Sequence, residues 1–157
     1  MTSFSNKTVA RDYAFKFLYK HQLNEFSDLR ETLLKSKEAF TLAVDEFDIS
    51  YVERDKEHPQ NDLTPNAKNY GVRLIAGVLE NLPELQEIIK PKLKRSFNSL
   101  EKVDATILLV AIFEMKDISE TPYKVTINEA IEMAKKYGTA EAARFVNAIL
   151  DKVSKEL

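Results

Sequence analysis

Apolar residues recur at intervals of three and four positions along most of the chain, which is the spacing of one face of an α-helix. Residues 7–23 form the first such stretch, with a stripe of Val9, Ala10, Tyr13, Ala14, Phe17 and Leu18. Residues 100–115 are apolar almost all round, as expected of a central helix that other helices surround. No stretch alternates with the period of two that predicts a sheet. The pattern predicts an all-α fold, a single compact bundle of about seven helices over residues 1–157.

Prolines divide the middle of the chain into separate helices. A second helical region is predicted from residue 27 to residue 47, and the periodicity then fails. We therefore predict a loop insertion at residues 48–66. Pro65 suits the first turn of the next helix, because the N–H that proline lacks would be unpaired there in any case. Pro83 ends that helix, and a short helix follows before Pro91.

The last third of the chain predicts two consecutive helices that meet at Gly138. Pro122 suits the first turn of the first helix. Gly138 stands where a left-handed C-cap is expected, and Thr139 can cap the second helix. Each apolar face also carries an amide, Asn128 or Asn147, and amides on such faces usually form hydrogen bonds where helices meet. We therefore favour a structural role for both amides.

Composition and charge restrict the function. The chain contains no Cys, which excludes disulfides, thiolate nucleophiles and Cys-based zinc sites. No apolar run is long enough to span a bilayer and no secretory signal is visible, which predicts a cytoplasmic protein. The net charge of −2 argues against strong nucleic-acid binding without a partner. Cations nevertheless concentrate in residues 1–20 and 90–95, so we expect a local basic surface with weak RNA affinity.

Catalytic chemistry finds little support in the sequence. His21 and His58 lack the neighbouring acids, nucleophiles or metal ligands that form a recognisable motif. The three glycines lie too far apart to form a phosphate-binding loop. We predict that the protein is not an enzyme and uses neither a metal nor a cofactor.

Two basic patches are candidates for RNA contact. Lys7, Arg11 and Phe15 follow one another at four-residue intervals along the edge of the first apolar stripe. Cations beside an exposed aromatic ring suit single-stranded RNA, because its phosphates need charge and its bases need a stacking surface. Alternatively, the cations are ordinary surface charges and Phe15 packs at the margin of the stripe. The second patch contains Lys92 and Arg95, and its alternative is a solvated loop between helices.

Two further patches lie in the C-terminal pair of helices. Tyr137 and Glu141 flank Gly138, where an aromatic ring beside free backbone N–H groups can stack on a base and bond its edge. Lys124 and Arg144 place cations at either side of the pair. A purely structural role is the alternative for each of these residues.

Two adjacent motifs in the same region indicate a family. One runs from residue 122 to residue 138 and reads Pro-Tyr-Lys-Val-x-Ile-Asn-Glu-Ala-Ile-Glu-x-Ala-Lys, a further Lys, an aromatic residue and Gly. The other, residues 145–152, reads Phe-Val-Asn-x-x-Leu-Asp-Lys. Together they resemble the C-terminal signature of the NusB family. The resemblance continues in residues 10–11, 18–23 and 111–115, and covers most of the chain except roughly residues 45–66.

The resemblance implies a transcription antitermination factor. NusB proteins bind boxA-type RNA of rRNA leader transcripts together with the ribosomal protein NusE, and the pair joins RNA polymerase to promote rRNA synthesis. They contact RNA through a basic N-terminal segment, through the connection that holds Lys92, and through an aromatic and an acid that correspond to Tyr137 and Glu141. Their contact with NusE involves the central helix, where Glu101 and Asp104 precede the apolar run.

This chain departs from the family pattern in two places. Many relatives carry consecutive arginines before the Ala-Arg pair, whereas this chain has only Lys7 and Arg11, so we expect weaker intrinsic RNA binding. Leu109 stands where the family usually has an arginine. The alternative function is therefore a NusB-fold protein-interaction module or homodimer with weak or lost RNA binding. An intact rRNA cytosine methyltransferase with a NusB-like domain is excluded, because that enzyme needs a catalytic Cys.

Overall fold

The computed structural model describes residues 6–22, 30–32, 35–54 and 63–157, without the side chains of residues 22 and 52–54. Within these ranges the regular elements are all helical, and no strand occurs. The helices whose bounds fall within the described residues are α1 (Asn6–Gln22), α2 (Lys37–Arg54), α3 (Pro65–Glu80), α4 (Leu82–Ile89), α5 (Lys102–Asp117), α6 (Tyr123–Tyr137) and α7 (Ala142–Ser154). Two short 3-10 turns, Lys90–Lys92 and Phe97–Ser99, lie between α4 and α5. The all-α prediction is confirmed.

Backbone contacts divide the chain into two compact units, Met1–Glu80 and Asn81–Leu157. The first unit contains α1 to α3, and the second contains α4 to α7. A search of the described helices finds none that is long and apolar enough to cross a membrane. The single domain over residues 1–157 stays a prediction.

Aromatic rings form the core of the first unit between α1 and α2. The rings of Tyr13 and Phe17 on α1 both meet Phe47 edge to face, with ring centroids 5.2 Å apart in each pair. Tyr13 also meets Tyr51 at 5.2 Å, and Phe17 meets Phe40 at 6.5 Å. As the residue number rises along α1, the number of the residue that it meets on α2 falls. The two helices are therefore antiparallel.

Polar side chains connect the same helices beside the aromatic core. The Tyr13 hydroxyl donates to Asp48 on α2, and the Tyr51 hydroxyl donates to Asp12 on α1 at 2.9 Å. Burial, together with the bond to Asp48, raises the pKa of the Tyr13 phenol. From α3, the Lys68 ammonium pairs with Asp48, and that hydrogen bond raises the pKa of the Lys68 ammonium. Each of α1 and α2 thus supplies one tyrosine and one carboxylate to the other.

The extent of α2 corrects the predicted loop insertion. The helix continues through Arg54, so the prediction of a loop is wrong for residues 48–54. Asp48 does not end the helix, because its carboxylate is held by Tyr13 and Lys68. Residues 55–62 lie outside the described part of the chain. The next helix begins at Pro65, as predicted.

Helices α1 and α3 approach each other closely at Gly71. A Cβ atom at this position would lie 2.7 Å from Cδ2 of Tyr13 and 3.3 Å from the Ala10 carbonyl oxygen. Both distances are shorter than ordinary van der Waals contact. Gly71 therefore permits the backbone of α3 to pack directly on α1.

In the second unit, α5 packs against α4, α6 and α7. All residues from Asp104 to Met115 are buried, which confirms the prediction of a surrounded central helix. Asn128 and Asn147 are exposed, so the prediction that they lie on the apolar faces is wrong, and the structural role favoured for them stays a prediction. The buried faces of the last two helices consist of Thr126, Ala130, Met133 and Ala134 on α6, and of Ala142, Val146, Ile149, Leu150 and Val153 on α7.

Candidate nucleic-acid interface

Arg95 lies between the two 3-10 turns and reaches both α7 and the start of α5. Its guanidinium carbon is 5.9 Å from the centroid of the Phe145 ring, a distance at which a cation attracts an aromatic face. Burial raises the pKa of the Asp104 carboxyl, Glu101 adds to the rise, and the charge of Arg95 opposes it. The exposed Arg95 is therefore held near an aromatic ring and a carboxylate.

The junction between α6 and α7 is built on a close approach at Gly138. The backbone of Gly138 is extended, with φ −97° and ψ −176°, so the predicted left-handed C-cap is wrong. A Cβ atom here would lie 2.5 Å from the Ala142 Cβ, 2.9 Å from the Ala134 carbonyl oxygen and 3.6 Å from Oδ1 of Asp104. Glycine is needed because the two helices leave no room for a side chain.

The residues around this junction present polar groups to solvent. Tyr137, the last residue of α6, is half-buried, and the Lys136 ammonium lies 5.0 Å from its ring centroid. The side chains of Glu141 and Arg144 are 80% and 87% exposed and stand 3.9 Å apart. Such an exposed ion pair holds its partners weakly, so both groups can turn toward a ligand. Glu141 also occupies the N-cap position of α7, where Thr139 was predicted.

The predicted RNA site on α1 differs from expectation. Val9 to Phe15 are all buried, so over this stretch the helix has no open edge. Arg11 and Phe15 are each only 3% exposed, and the Phe15 ring stacks on Tyr19 with the centroids 5.8 Å apart. The expectation of an exposed aromatic ring at Phe15 is therefore wrong. Lys7 remains partly exposed, with its ammonium 5.4 Å from the ring centroid of Tyr70.

Two other predicted contact residues are directed into the fold. The Lys92 side chain is 8% exposed, and its ammonium donates to the Ile88 carbonyl at 3.2 Å and to Glu156 at 2.9 Å. Lys92 thus anchors the end of the chain and is not the solvent-facing cation that the sequence predicted. Asp104 is 5% exposed, so it is not the surface carboxylate expected for partner binding. Glu101, the N-cap residue of α5, is exposed.

The structure brings part of the predicted site together in the second unit. We call this group the junction surface; it consists of Arg95, Tyr137, Glu141, Arg144 and Phe145. It offers cations for phosphates, aromatic rings for bases and a carboxylate that can accept hydrogen bonds from base amino groups. Lys124 is exposed in the first turn of α6, about 20 Å along the helix from Tyr137.

The sequence predicts no RNA contact for Phe145, which belongs to the motif of residues 145–152. A signal for it was available, because Phe145 follows Glu141 by four residues and so shares its helix face.

Comparisons with known proteins agree with this fold. Residues 8–155 match the model of the NusB family. The transcription antitermination protein NusB of Thermodesulfovibrio yellowstonii is 33% identical over 155 residues, which cover 94% of this chain and 90% of that protein. NusB of Nitrosospira multiformis is 41% identical over 102 residues, and the match spans 65% of this chain and 61% of that protein.

Solved structures show the same likeness. NusB of T. maritima superimposes with a TM-score of 0.74 and 31% identity, covering 99% of this chain and 94% of that one. A chain from the crystal structure of the antitermination factors NusB and NusE in complex with double-stranded RNA gives a TM-score of 0.71 at 22% identity, covering 97% and 98%. The second likeness shows the fold alone. The family model spans nearly all of this sequence, and the chain belongs to the NusB family.

Proposed function

We propose that this protein is a transcription antitermination factor that binds boxA-type RNA of rRNA leader transcripts together with the ribosomal protein NusE. In this proposal the complex joins RNA polymerase in the cytoplasm and promotes rRNA synthesis by assembly, without catalysis. Membership of the NusB family supports it, as do relatives that are named transcription antitermination proteins. A solved structure that contains NusB, NusE and RNA supports the choice of partners.

The junction surface carries the RNA-binding part of the proposal. The observation that supports it most is the exposed Arg95 over the Phe145 ring, near the exposed pair of Glu141 and Arg144. Stacking of a base on an aromatic side chain contributes about 1–3 kcal/mol, so one or two such contacts change occupancy many-fold. Lys7 and Lys124 would add phosphate contacts, since both are at least partly exposed.

The residues that the structure buries have another role in this proposal. Arg11 and Phe15 are part of the interior around α1, and Lys92 holds the chain end. In this proposal each of them stabilises its own unit and does not contact RNA. For NusE, the exposed Glu101 supplies a carboxylate that can steer the encounter with a basic ribosomal protein. Because this protein would hold RNA and NusE in the same complex, binding of one partner would raise the effective concentration of the other, and the overall affinity would exceed that of either contact alone.

The test is the anisotropy of a labelled boxA-type RNA, measured with and without NusE. We expect tighter binding in the presence of NusE, and weaker binding of a scrambled RNA. The double variant Arg95→Ala with Arg144→Ala should bind RNA more weakly. In a plot of the logarithm of the binding constant against the logarithm of the salt concentration, its slope should be less steep by about 0.7 for each phosphate that is no longer neutralised. Lys155→Ala is the matched control. Lys155 is an exposed cation whose ammonium pairs with the Asp151 carboxylate, four residues earlier, at 3.2 Å, much as Arg144 pairs with Glu141.

Two results would contradict this function. The first is equal affinity for boxA-type and scrambled RNA when NusE is present. The second is a folded double variant that binds as tightly as the unchanged protein, which would remove the junction surface from the RNA site.

A second candidate is a NusB-fold interaction module or homodimer with weak or lost RNA binding. The burial of Arg11 and the internal ion pair of Lys92 favour it, because both cations are withdrawn from solvent. Absence of RNA binding with NusE at low salt would support this candidate. Light scattering would then distinguish a homodimer from a monomeric module.

A further inference from the structure

Helix α2 carries large apolar side chains on two opposite faces. The inner face is buried and consists of Phe40, Val44, Phe47 and Tyr51, spaced by four, three and four residues. On the outer face, Leu42 is 60% exposed and Ile49 is 64% exposed. Among the described residues, these two are the most exposed large apolar side chains. They stand seven residues apart, which places them on one line along the helix.

Carboxylates surround this apolar pair. Asp45 and Glu46 lie between Leu42 and Ile49 in sequence and are exposed, and Glu38 is exposed one turn before Leu42. The cations near them are fewer. Lys68 pairs with Asp45 at 3.1 Å and also with Asp48, so one ammonium serves two carboxylates. A groove of about 400 Å³ along this face is lined, within the described ranges, by Lys37, Glu38, Thr41, Leu42 and Asp45.

The charge balance of the face is therefore acidic. On this face the exposed carboxylates of residues 38, 45 and 46 number three, against the exposed ammonium group of residue 37 and the partly exposed one of residue 68, which Asp48 also binds. An acidic face repels the phosphates of nucleic acid and attracts a basic polypeptide. The inner face is fixed by aromatic packing and by the bond from Tyr13 to Asp48, so Leu42 and Ile49 are displayed on a firmly held helix.

We propose that the outer face of α2 binds a basic amphipathic helix of a partner protein. The partner would present two apolar side chains about 10 Å apart, which is the distance of seven residues along a helix. Lysines or arginines beside them would face Glu38, Asp45 and Glu46. This surface lies in the first unit and is distinct from the junction surface, so the inference does not rest on the proposed function.

A second copy of α2 fits this face poorly. An antiparallel pair that placed Leu42 of one copy against Ile49 of the other would also place Asp45 against Glu46 of the other. The two-fold symmetry would repeat this contact, so four carboxylates would meet at the centre of the interface. Like charges that face each other oppose association, and a basic helix meets no such opposition.

The experiment uses the full chain and a fluorescein-labelled synthetic peptide. The peptide is helical, with leucines seven residues apart and lysines at the flanking positions. We expect saturable binding in the anisotropy signal, and no binding of a peptide in which glutamates replace the lysines. Leu42→Glu and Ile49→Glu should each weaken binding about tenfold, since each removes one apolar contact from the interface. Val125→Glu changes an exposed apolar residue in the other unit and should leave binding unchanged.

Three outcomes would overturn the proposal. They are the absence of saturable binding of the lysine peptide, equal binding of the glutamate peptide, and equal binding by the Leu42→Glu, Ile49→Glu and unchanged proteins. Sedimentation that shows a dimer dissociated by Leu42→Glu would assign the face to self-association instead. If either glutamate variant loses its helical circular dichroism, Leu42→Ser and Ile49→Ser replace them in the same comparison.

Discussion

Replacement of Gly138 by alanine tests the closest helix contact in the second unit. The added Cβ would stand 2.5 Å from the Ala142 Cβ and 2.9 Å from the Ala134 carbonyl oxygen. Ordinary contact begins near 3.4 Å, so the start of α7 must move by about an ångström from α6. Overpacking of this kind costs about 1–3 kcal/mol of the free energy of unfolding. In a chain of this size, the melting temperature should fall by roughly 2–12 °C.

Two companion variants separate a steric cause from a conformational one. If Gly138 were required for a left-handed backbone, Gly138→Asn would be much milder than Gly138→Ala, because asparagine tolerates that conformation. The extended backbone predicts instead that asparagine is at least as destabilising as alanine. Ala142→Gly removes the nearest obstructing atom, so the cost of Gly138→Ala should be smaller in that background.

The assay is urea unfolding followed by circular dichroism, with RNA binding measured on the same samples. Displacement of α7 should also weaken RNA binding, because Glu141 and Arg144 stand at its start. Ala140→Ser is the matched control in the same turn, since Ala140 is exposed. A Gly138→Ala protein as stable as the original, or an asparagine variant much more stable than the alanine variant, would refute the steric explanation.

Two further predictions concern pH. Burial raises the pKa of the Asp104 carboxyl in the folded state above its ordinary value of 3.8. The contribution of the protonated carboxyl to the free energy of unfolding is therefore complete below pH 3.8, and it is lost as the pH rises through the folded-state pKa. Asp104→Asn should therefore increase the free energy of unfolding at pH 7, with the gain shrinking in urea titrations toward pH 4; a loss at pH 7 would contradict this. Burial, with Lys20 adding, lowers the pKa of His21 below 6.5, so the unfolded chain binds more protons between the folded value and 6.5. As the pH is lowered below 6.5, the free energy of unfolding should therefore decrease more in the unchanged protein than in His21→Gln. Parallel plots of the free energy of unfolding against pH for the two proteins would exclude the effect.

The helices could largely be predicted from the sequence, because their signals are local. Pro65 begins α3, and α4 lies between Glu80 and Pro91 with Pro83 in its first turn. The end of α2 could not be predicted in this way. Asp48 resembles a loop residue in a window of sequence, and its helical position depends on Tyr13, which is 35 residues away.

The candidate site was predicted only where exposure follows from local position. Arg95, Glu141 and Arg144 are exposed, as expected of charged residues at helix ends and in a connection. Arg11 and Lys92 are not, because their burial depends on what other elements place over them. Periodicity identifies the apolar face of a helix that packs against the core. It does not show whether another part of the chain also covers the polar side of that helix.

The exchange of tyrosine and carboxylate between α1 and α2 has a consequence for the evolution of the family. Tyr13 bonds Asp48 and Tyr51 bonds Asp12, so a slide of one helix by a single turn, about 5.4 Å, would break both bonds at once. Both hydrogen bonds therefore form in only one register of α1 against α2, and together they select that register. Relatives that lose the hydroxyl at one position should lose the matching acid as well, and the two pairs should be inherited as separate units.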